Sequence, residues 1–216
     1  MRRSKEKALE TREGILDAAE QVFFERGVGR TTLELVADAA GVTRGAIYWH
    51  FQNKVDLLNA VVERVRMPME STLYDVVETK GTVESLEDLC IRSLAQIQDD
   101  ERLRRVYTVL LLKCEASEDT ATLTEREEVA RDQVTGALTR FFERLQMAGQ
   151  MTITEEPSIL AVALYAYMQG LFTDYLRTPQ RYSMPKDASR LVRHFFRPLD
   201  NGSCLNDRHE HFRCLK

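Results

Sequence analysis

The sequence predicts an all-α protein: an N-terminal three-helix unit containing a helix-turn-helix, followed by a larger helical C-terminal domain. Three observations carry that reading. Apolar residues recur at helical spacing in almost every segment, no stretch alternates as a half-buried strand would, and the 216 residues include five prolines and ten glycines. With 44% hydrophobic and 30% charged residues the chain can bury a sizeable core, which excludes disorder and a collagen-like repeat.

The elements follow in order. From Thr11 to Arg26, Ile15, Ala18, Ala19, Val22 and Phe23 form one apolar stripe, and Gly27 stops the helix. Thr31 and Thr32 can cap a short second helix with Leu33, Val36, Ala37 and Ala40 on one face, ended by Gly41 in a position that suits a left-handed residue. Thr43 can cap a third helix in which Ile47 and Phe51 face inward while Arg44, Gly45, Tyr48 and Trp49 are free to face outward. Two short helices meeting at a glycine turn make a helix-turn-helix. Asn53 can cap a fourth helix, Lys54 to Arg66, with Pro68 marking an end or a kink. Beyond it the helical period covers 83–97, 103–114, 123–147, 158–176 and 186–196. The expected division is therefore 1–54 for the reading unit, 55–200 for a second domain, and 201–216 for a loose polar tail.

Thirty Lys and Arg against 34 Asp and Glu give a formal net charge of -4, so any nucleic-acid surface must be local. Residues 1–66 hold 11 basic and 10 acidic side chains and the remainder 19 and 24, an asymmetry that hints at two jobs. The longest apolar run, Ile159 to Met168, is ten residues and falls short of the ~20 that span a bilayer, so a cytoplasmic protein with no membrane partner is expected. Cys90, Cys114, Cys204 and Cys214 are irregularly spaced and read as reduced thiols.

The run Thr31-Thr32-Leu33 through Ala39-Ala40-Gly41-Val42-Thr43-Arg44-Gly45-Ala46-Ile47-Tyr48-Trp49-His50-Phe51, then Asn53-Lys54, resembles the DNA-binding domain of TetR-family repressors. It looks most like the AcrR-like branch that guards multidrug efflux operons. The basic start Arg2-Arg3-Ser4-Lys5 and the Glu10-Thr11-Arg12 run are similar too. A weaker echo, Arg104-Arg105-Val106 followed by Lys113-Cys114-Glu115, recurs in the ligand-binding half of that branch.

The physical reading of the motif stands beside the resemblance. A helix in the major groove offers its N-terminal residues to base edges, and Arg44 is placed for a bidentate contact to guanine O6 and N7. Gly45 allows close approach, and Thr43 can meet a phosphate or a thymine methyl. Tyr48, His50, Lys54 and the hydroxyls of Thr31 and Thr32 suit phosphate oxygens, setting register rather than sequence. Arg2, Arg3, Lys5 and Lys7 form a basic arm that either follows the DNA backbone or is a solvated tail. Trp49 either joins this surface or packs on the preceding helix, and Phe51 reads as core.

The resemblance also implies a ligand cavity. Leu86, Leu89, Cys90, Ser93, Tyr107, Leu111, Val134, Leu138, Tyr165, Met168, Gln169 and Phe172 occupy positions similar to its lining in AcrR-like repressors. Such a mix suits small apolar or aromatic compounds oriented by few hydrogen bonds, although each residue read alone is more often plain core than a ligand contact. One reading helix makes too few base contacts for specificity, so a homodimer on a palindromic operator is expected, joined through the last two helices. Ala188, Leu191, Val192, Phe195 and Phe196 form the stripe assigned to that boundary.

No phosphate loop, nucleophile elbow or His-Glu-x-x-His is present, and no cofactor or catalytic residue is expected. Cys204, His209, His211 and Cys214 match no standard zinc module. Two function classes stay open on the residues alone: a ligand-responsive DNA-binding repressor, and a helical binding or scaffold protein that keeps the helix-turn-helix for structure only.

Overall fold

A computed structural model describes residues 2–79, 81–114, 121–151 and 153–199, and among them nine helices and no strand. α1 (Arg2–Arg26), α2 (Leu33–Ala40) and α3 (Arg44–His50) make the N-terminal unit. α4 (Lys54–Glu78) leaves it to join α5 (Val83–Asp99), α6 (Glu101–Leu112), α7 (Ala121–Met147), α8 (Pro157–Arg177) and α9 (Met184–Phe196).

Local chemistry sets the short helices. The hydroxyl oxygen of Thr32 accepts from the Leu35 N–H at 3.3 Å, that of Thr43 from Ala46 at 3.2 Å, and the Asn53 side chain from Asp56 at 2.8 Å. Each satisfies an N–H that a helix start leaves without a partner. Gly41 closes α2 at φ 65°, a left-handed conformation nearly free for glycine and costly for other residues. Thr31 does not cap. It is 1% exposed, and its hydroxyl donates to the Gly27 carbonyl at 2.8 Å, which pins the loop after α1.

Three departures from expectation bear on the sites. α1 begins at Arg2 rather than Thr11, because the preceding residues are helix formers and the Thr11 hydroxyl bonds back to the Lys7 carbonyl at 2.9 Å instead of capping. The basic arm is therefore the first turns of a helix. α4 runs through Pro68 without ending, leaving the Arg64 carbonyl without its helical donor. The expected division at 54/55 falls at the first residues of this helix, which begins at Lys54. α6 starts earlier, at Glu101, because the Asp100 carboxylate caps it by accepting from Leu103 at 3.0 Å. It stops at Leu112, so Cys114 lies beyond its end.

Charged groups fasten the N-terminal unit to α4 and α6. Glu20 on α1 is 2% exposed, with Arg64 of α4 at 3.1 Å and Arg102 of α6 at 3.3 Å, and both arginines also reach Asp17. Burial raises the Glu20 carboxyl above its ordinary value against the pull of Arg102 and Arg64. At the far end of α6 the Lys113 ammonium donates to the Phe24 carbonyl, and the Lys113 carbonyl accepts from Val28 at 3.3 Å.

The stripe assigned to a subunit boundary is largely used within the chain. α9 packs on α5 and buries Ala188, Val192 and Phe196. Phe195 stacks on Tyr167 with ring centres 5.7 Å apart, and the Tyr167 hydroxyl donates to the Leu191 carbonyl at 2.7 Å. The amphipathic stripe thus marks a core-facing helix. The open apolar face lies on α8, where Ile159 is 53% and Val162 44% exposed, with Ala163, Ala166 and Gly170 also exposed. By length and composition α8 is also the one described helix that meets the requirement of a bilayer span, which its ten-residue apolar run did not foretell. It carries Asp174 and Arg177 and forms one wall of the C-terminal domain against α5, α6 and α7.

Candidate functional site

Two sites lie at opposite ends of α4, and the first is the surface of α3. Ile47 is fully buried and Phe51 nearly so, which turns the other face outward. That face presents Thr43, Arg44, Gly45, Tyr48 and Trp49, with Trp49 71% exposed. At Gly45 an added Cβ would meet nothing closer than the Thr43 hydroxyl at 3.9 Å, so the surface is open to an approaching partner. Thr32 and Lys54 flank it, and the Lys54 ammonium is 3.5 Å from the Gly29 carbonyl. Thr31, turned inward, is not part of this surface.

The polar groups of α3 are ordered by one another and by α2. The Arg44 guanidinium lies 3.0 Å from Glu34 and over the Tyr48 ring, 5.6 Å from its centre, while the Tyr48 hydroxyl donates to Glu34 at 3.3 Å. Hydrogen bonding from its own backbone N–H at the start of α2, with Arg44, Thr32 and Tyr48 adding to it, holds the Glu34 carboxyl below the usual carboxylate range. His50 sits edge-on to Trp49 with ring centres 4.5 Å apart. Partial burial, then the Arg12 charge, pushes the imidazole below its ordinary pKa, so at pH 7 it is neutral and offers a hydrogen bond rather than a charge.

The second site is a cavity of ≈ 180 Å³ lined by residues of α4 to α8. α5 contributes Leu86, Leu89, Cys90 and Ser93, α6 contributes Tyr107, and α7 contributes Val134 and Leu138. α8 supplies Tyr165, Met168, Gln169 and Phe172. Eleven of the twelve positions singled out in the sequence are thus brought together. Leu111 is not: it lies one turn, about 6 Å, along α6 from Tyr107 and packs, partly buried, against the general core.

Tyr107 and Phe172 stack across the space with ring centres 5.7 Å apart and planes at 12°. Burial pushes the Tyr107 phenol and the Cys90 thiol each up to about 12, so both stay protonated hydrogen-bonding groups. The Gln169 amide donates to the Tyr165 oxygen at 3.4 Å. The wall from α4 is charged. Arg66 meets Glu63 at 3.6 Å, Glu70 at 3.7 Å and Glu127 of α7, and burial raises the Glu70 carboxyl above its ordinary value. Among the described residues no group of three or more His, Cys, Asp or Glu is arranged to hold a metal; Cys204, His209, His211 and Cys214 lie outside them.

Comparison with known proteins matches residues 15–61 to the model of bacterial regulatory proteins of the tetR family, and residues 82–200 to the C-terminal region of MAATS-type transcriptional repressors. The chain belongs to the TetR family of bacterial transcriptional regulators. It is 35% identical over 202 residues to the HTH-type transcriptional regulator ArpR of Pseudomonas putida, covering 89% of this chain and 92% of that one. The crystal structure of NalD, the secondary repressor of the MexAB-OprM multidrug efflux pump in Pseudomonas aeruginosa, superposes with a TM-score of 0.84 at 36% identity, covering 92% and 100%. A complex of SmeT with triclosan superposes with a TM-score of 0.81 at 35% identity, covering 89% and 93%. SmeT is the repressor of the SmeDEF multidrug efflux pump of Stenotrophomonas maltophilia. As a TetR-family member the chain is a DNA-binding regulator and not an enzyme.

Several residues at the two sites escaped the sequence reading of this TetR-family chain. Glu34 was hidden because an acid in the first turn of α2 is explained by the helix dipole alone. Glu70 and Leu73 were missed because α4 was expected to finish at Arg66, and Arg66 because it stood as the last residue of that expected helix. Ala130, Arg131 and Leu164 also line the cavity, and only a periodicity reading of α7 and α8 against a fixed cavity axis would have found them.

Proposed function

We propose that the protein represses an operon encoding a multidrug efflux pump, binds a palindromic operator in the cytoplasm as a homodimer, and leaves the DNA when a small apolar or aromatic compound enters the cavity. The observation that carries this reading is the single helix α4, which holds Lys54 beside the reading surface and Arg66 and Glu70 in the cavity wall. A compound pressing on that wall acts on the same rigid element that positions α3. The efflux assignment follows the relatives, two of which are named as repressors of multidrug efflux pumps.

On the DNA, Arg44 reads a guanine edge, while Thr32, Thr43, Tyr48, Trp49, His50 and Lys54 contact phosphates or methyl groups and Gly45 admits the backbone. The dimer forms through α8, whose open face supplies Ile159, Val162, Ala163, Ala166 and Gly170, with the exposed side of α9 beside it. Small residues there let two helices approach closely. A cavity of ≈ 180 Å³ is below the ~300–1,000 Å³ of drug-sized sites, so the Tyr107–Phe172 stack must part to admit one.

The test uses duplex DNA from beside the protein's own gene and triclosan, the compound bound in the SmeT complex. The expected result is a retarded complex that triclosan dissolves, together with weaker calorimetric binding of triclosan to the complex than to the free protein. Linkage requires both factors to be equal, and typical couplings are about 1–3 kcal/mol. Release of DNA by a compound that binds both forms equally, or no retarded complex at all, would overturn the proposal.

A further inference from the structure

We propose that Glu34 is a positioning residue for base reading: with Tyr48 it holds the Arg44 guanidinium in a preset orientation, and so sharpens the preference for guanine at one position of each half-site. The proposal rests on the reading that Arg44 contacts a base. The geometry is a three-sided clamp. One Glu34 oxygen lies 3.0 Å from Nη2 of Arg44 and accepts from the Tyr48 hydroxyl at 3.3 Å, while the Tyr48 ring lies under the guanidinium plane, 5.6 Å from its centre.

The clamp leaves reading capacity in reserve. A guanidinium carries five N–H donors in a planar fork, and Glu34 engages one nitrogen from the side. The end of the fork can still present one N–H from each Nη to the O6 and N7 of a guanine. A long arginine side chain that is 71% exposed would otherwise sample many rotamers, and ordering it on binding carries an entropic cost. Glu34 meets that cost in the free protein. It also discourages the competing use of Arg44, because a carboxylate at this place repels phosphates and shields the arginine from a sequence-independent backbone contact. Both effects act in the same direction. Tyr48 therefore has a part beyond any phosphate contact: it donates to the same carboxylate oxygen that Arg44 meets. Glu34 owes its lowered pKa in part to these same neighbours, so it stays ionised through the physiological range.

The experiment is selection from a random-sequence duplex library by the full-length protein, in which the protein itself picks out its operator, with Glu34→Gln, Tyr48→Phe and Arg44→Ala alongside the wild type. The wild type should select half-sites with one strongly preferred G·C pair that Arg44→Ala abandons. Glu34→Gln should weaken the preference at that same pair by about two- to fivefold, the scale of an exposed ion pair, and leave other positions unchanged. Its binding to random DNA should become more salt-dependent, by about one unit of log–log slope as the freed arginine takes a phosphate. Tyr48→Phe should act in the same direction and more weakly at that pair, and adding Glu34→Gln to Arg44→Ala should change no base preference. If Arg44→Ala selects the same sequences as the wild type, the base-reading assignment itself fails. If Arg44→Ala loses the pair while Glu34→Gln keeps it in full, or if Glu34→Gln loses preference at every position, the positioning role alone fails. Equal melting temperatures of wild type and variants exclude misfolding as the cause.

Discussion

The outer face of α3 and the cavity are built in opposite ways. α3 carries its chemistry on the outside of a seven-residue helix, with buried Ile47 and Phe51 fixing which side faces out. The cavity is a space left between five helices, and its lining runs from Arg66 to Phe172. A convex surface can be specified by a few adjacent residues. A concave one needs agreement among distant ones, and its apolar members are not distinguishable from core by type alone.

The largest test of that contrast is Phe51→Ala, which removes a ring 2% exposed at the base of the reading unit and should cost about 3–5 kcal/mol. Urea melts should then split, with DNA binding lost in the first transition and triclosan binding kept until the second. A single transition that removes both would mean that the regions are one cooperative unit. Next, Val134→Trp should overfill the cavity at a cost of about 1–3 kcal/mol, abolish triclosan binding measured by calorimetry, and leave DNA affinity unchanged. Retained binding of the compound would place the site elsewhere.

On the convex side, Arg44→Ala should weaken operator binding by about 1–3 kcal/mol and flatten base preference. Lys54→Ala should instead weaken binding to all DNA and lower the salt slope by about one. Identical behaviour of the two variants would erase the division between reader and clamp. The smallest expected effect is on pH dependence in the cavity wall. Burial raises the Glu70 carboxyl in the folded state, so its contribution to stability is fully present below the unfolded value of 4.5 and is lost as pH rises through the higher folded value. Glu70→Gln should therefore raise the melting temperature at pH 7 and leave it unchanged near pH 4. The opposite sign would show that the Arg66 pair outweighs burial.

These differences explain what was legible in the sequence. Thr32, Gly41, Thr43 and Asn53 act through their own backbone neighbours, so their residue types announce α2, α3 and the start of α4. The family resemblance then supplied most cavity positions, but not the ones that depend on length. Pro68 signalled a stop that packing of α4 against α5, α6 and α7 overrode, and with it went Glu70 and Leu73. The α9 stripe was read correctly as apolar, yet Ala188, Val192 and Phe196 are already buried within the chain, since a period states that a face is buried and not by what. Pairings across helices, such as Glu34 with Arg44 or Glu20 with Arg102, leave no periodic trace at all.

The uninterrupted course of α4 also fixes a phase. Between Lys54 and Arg66 the helix advances about 18 Å, and each residue contributes about 100° of rotation. Inserting or deleting one residue there would leave both ends able to fold, yet turn the reading surface by that angle about the helix axis and pull Arg64 out of line with Asp17 and Glu20. A residue lining the cavity can therefore be exchanged without shifting its neighbours, whereas the length of this segment is fixed by both ends at once, like the spacing of teeth on a gear.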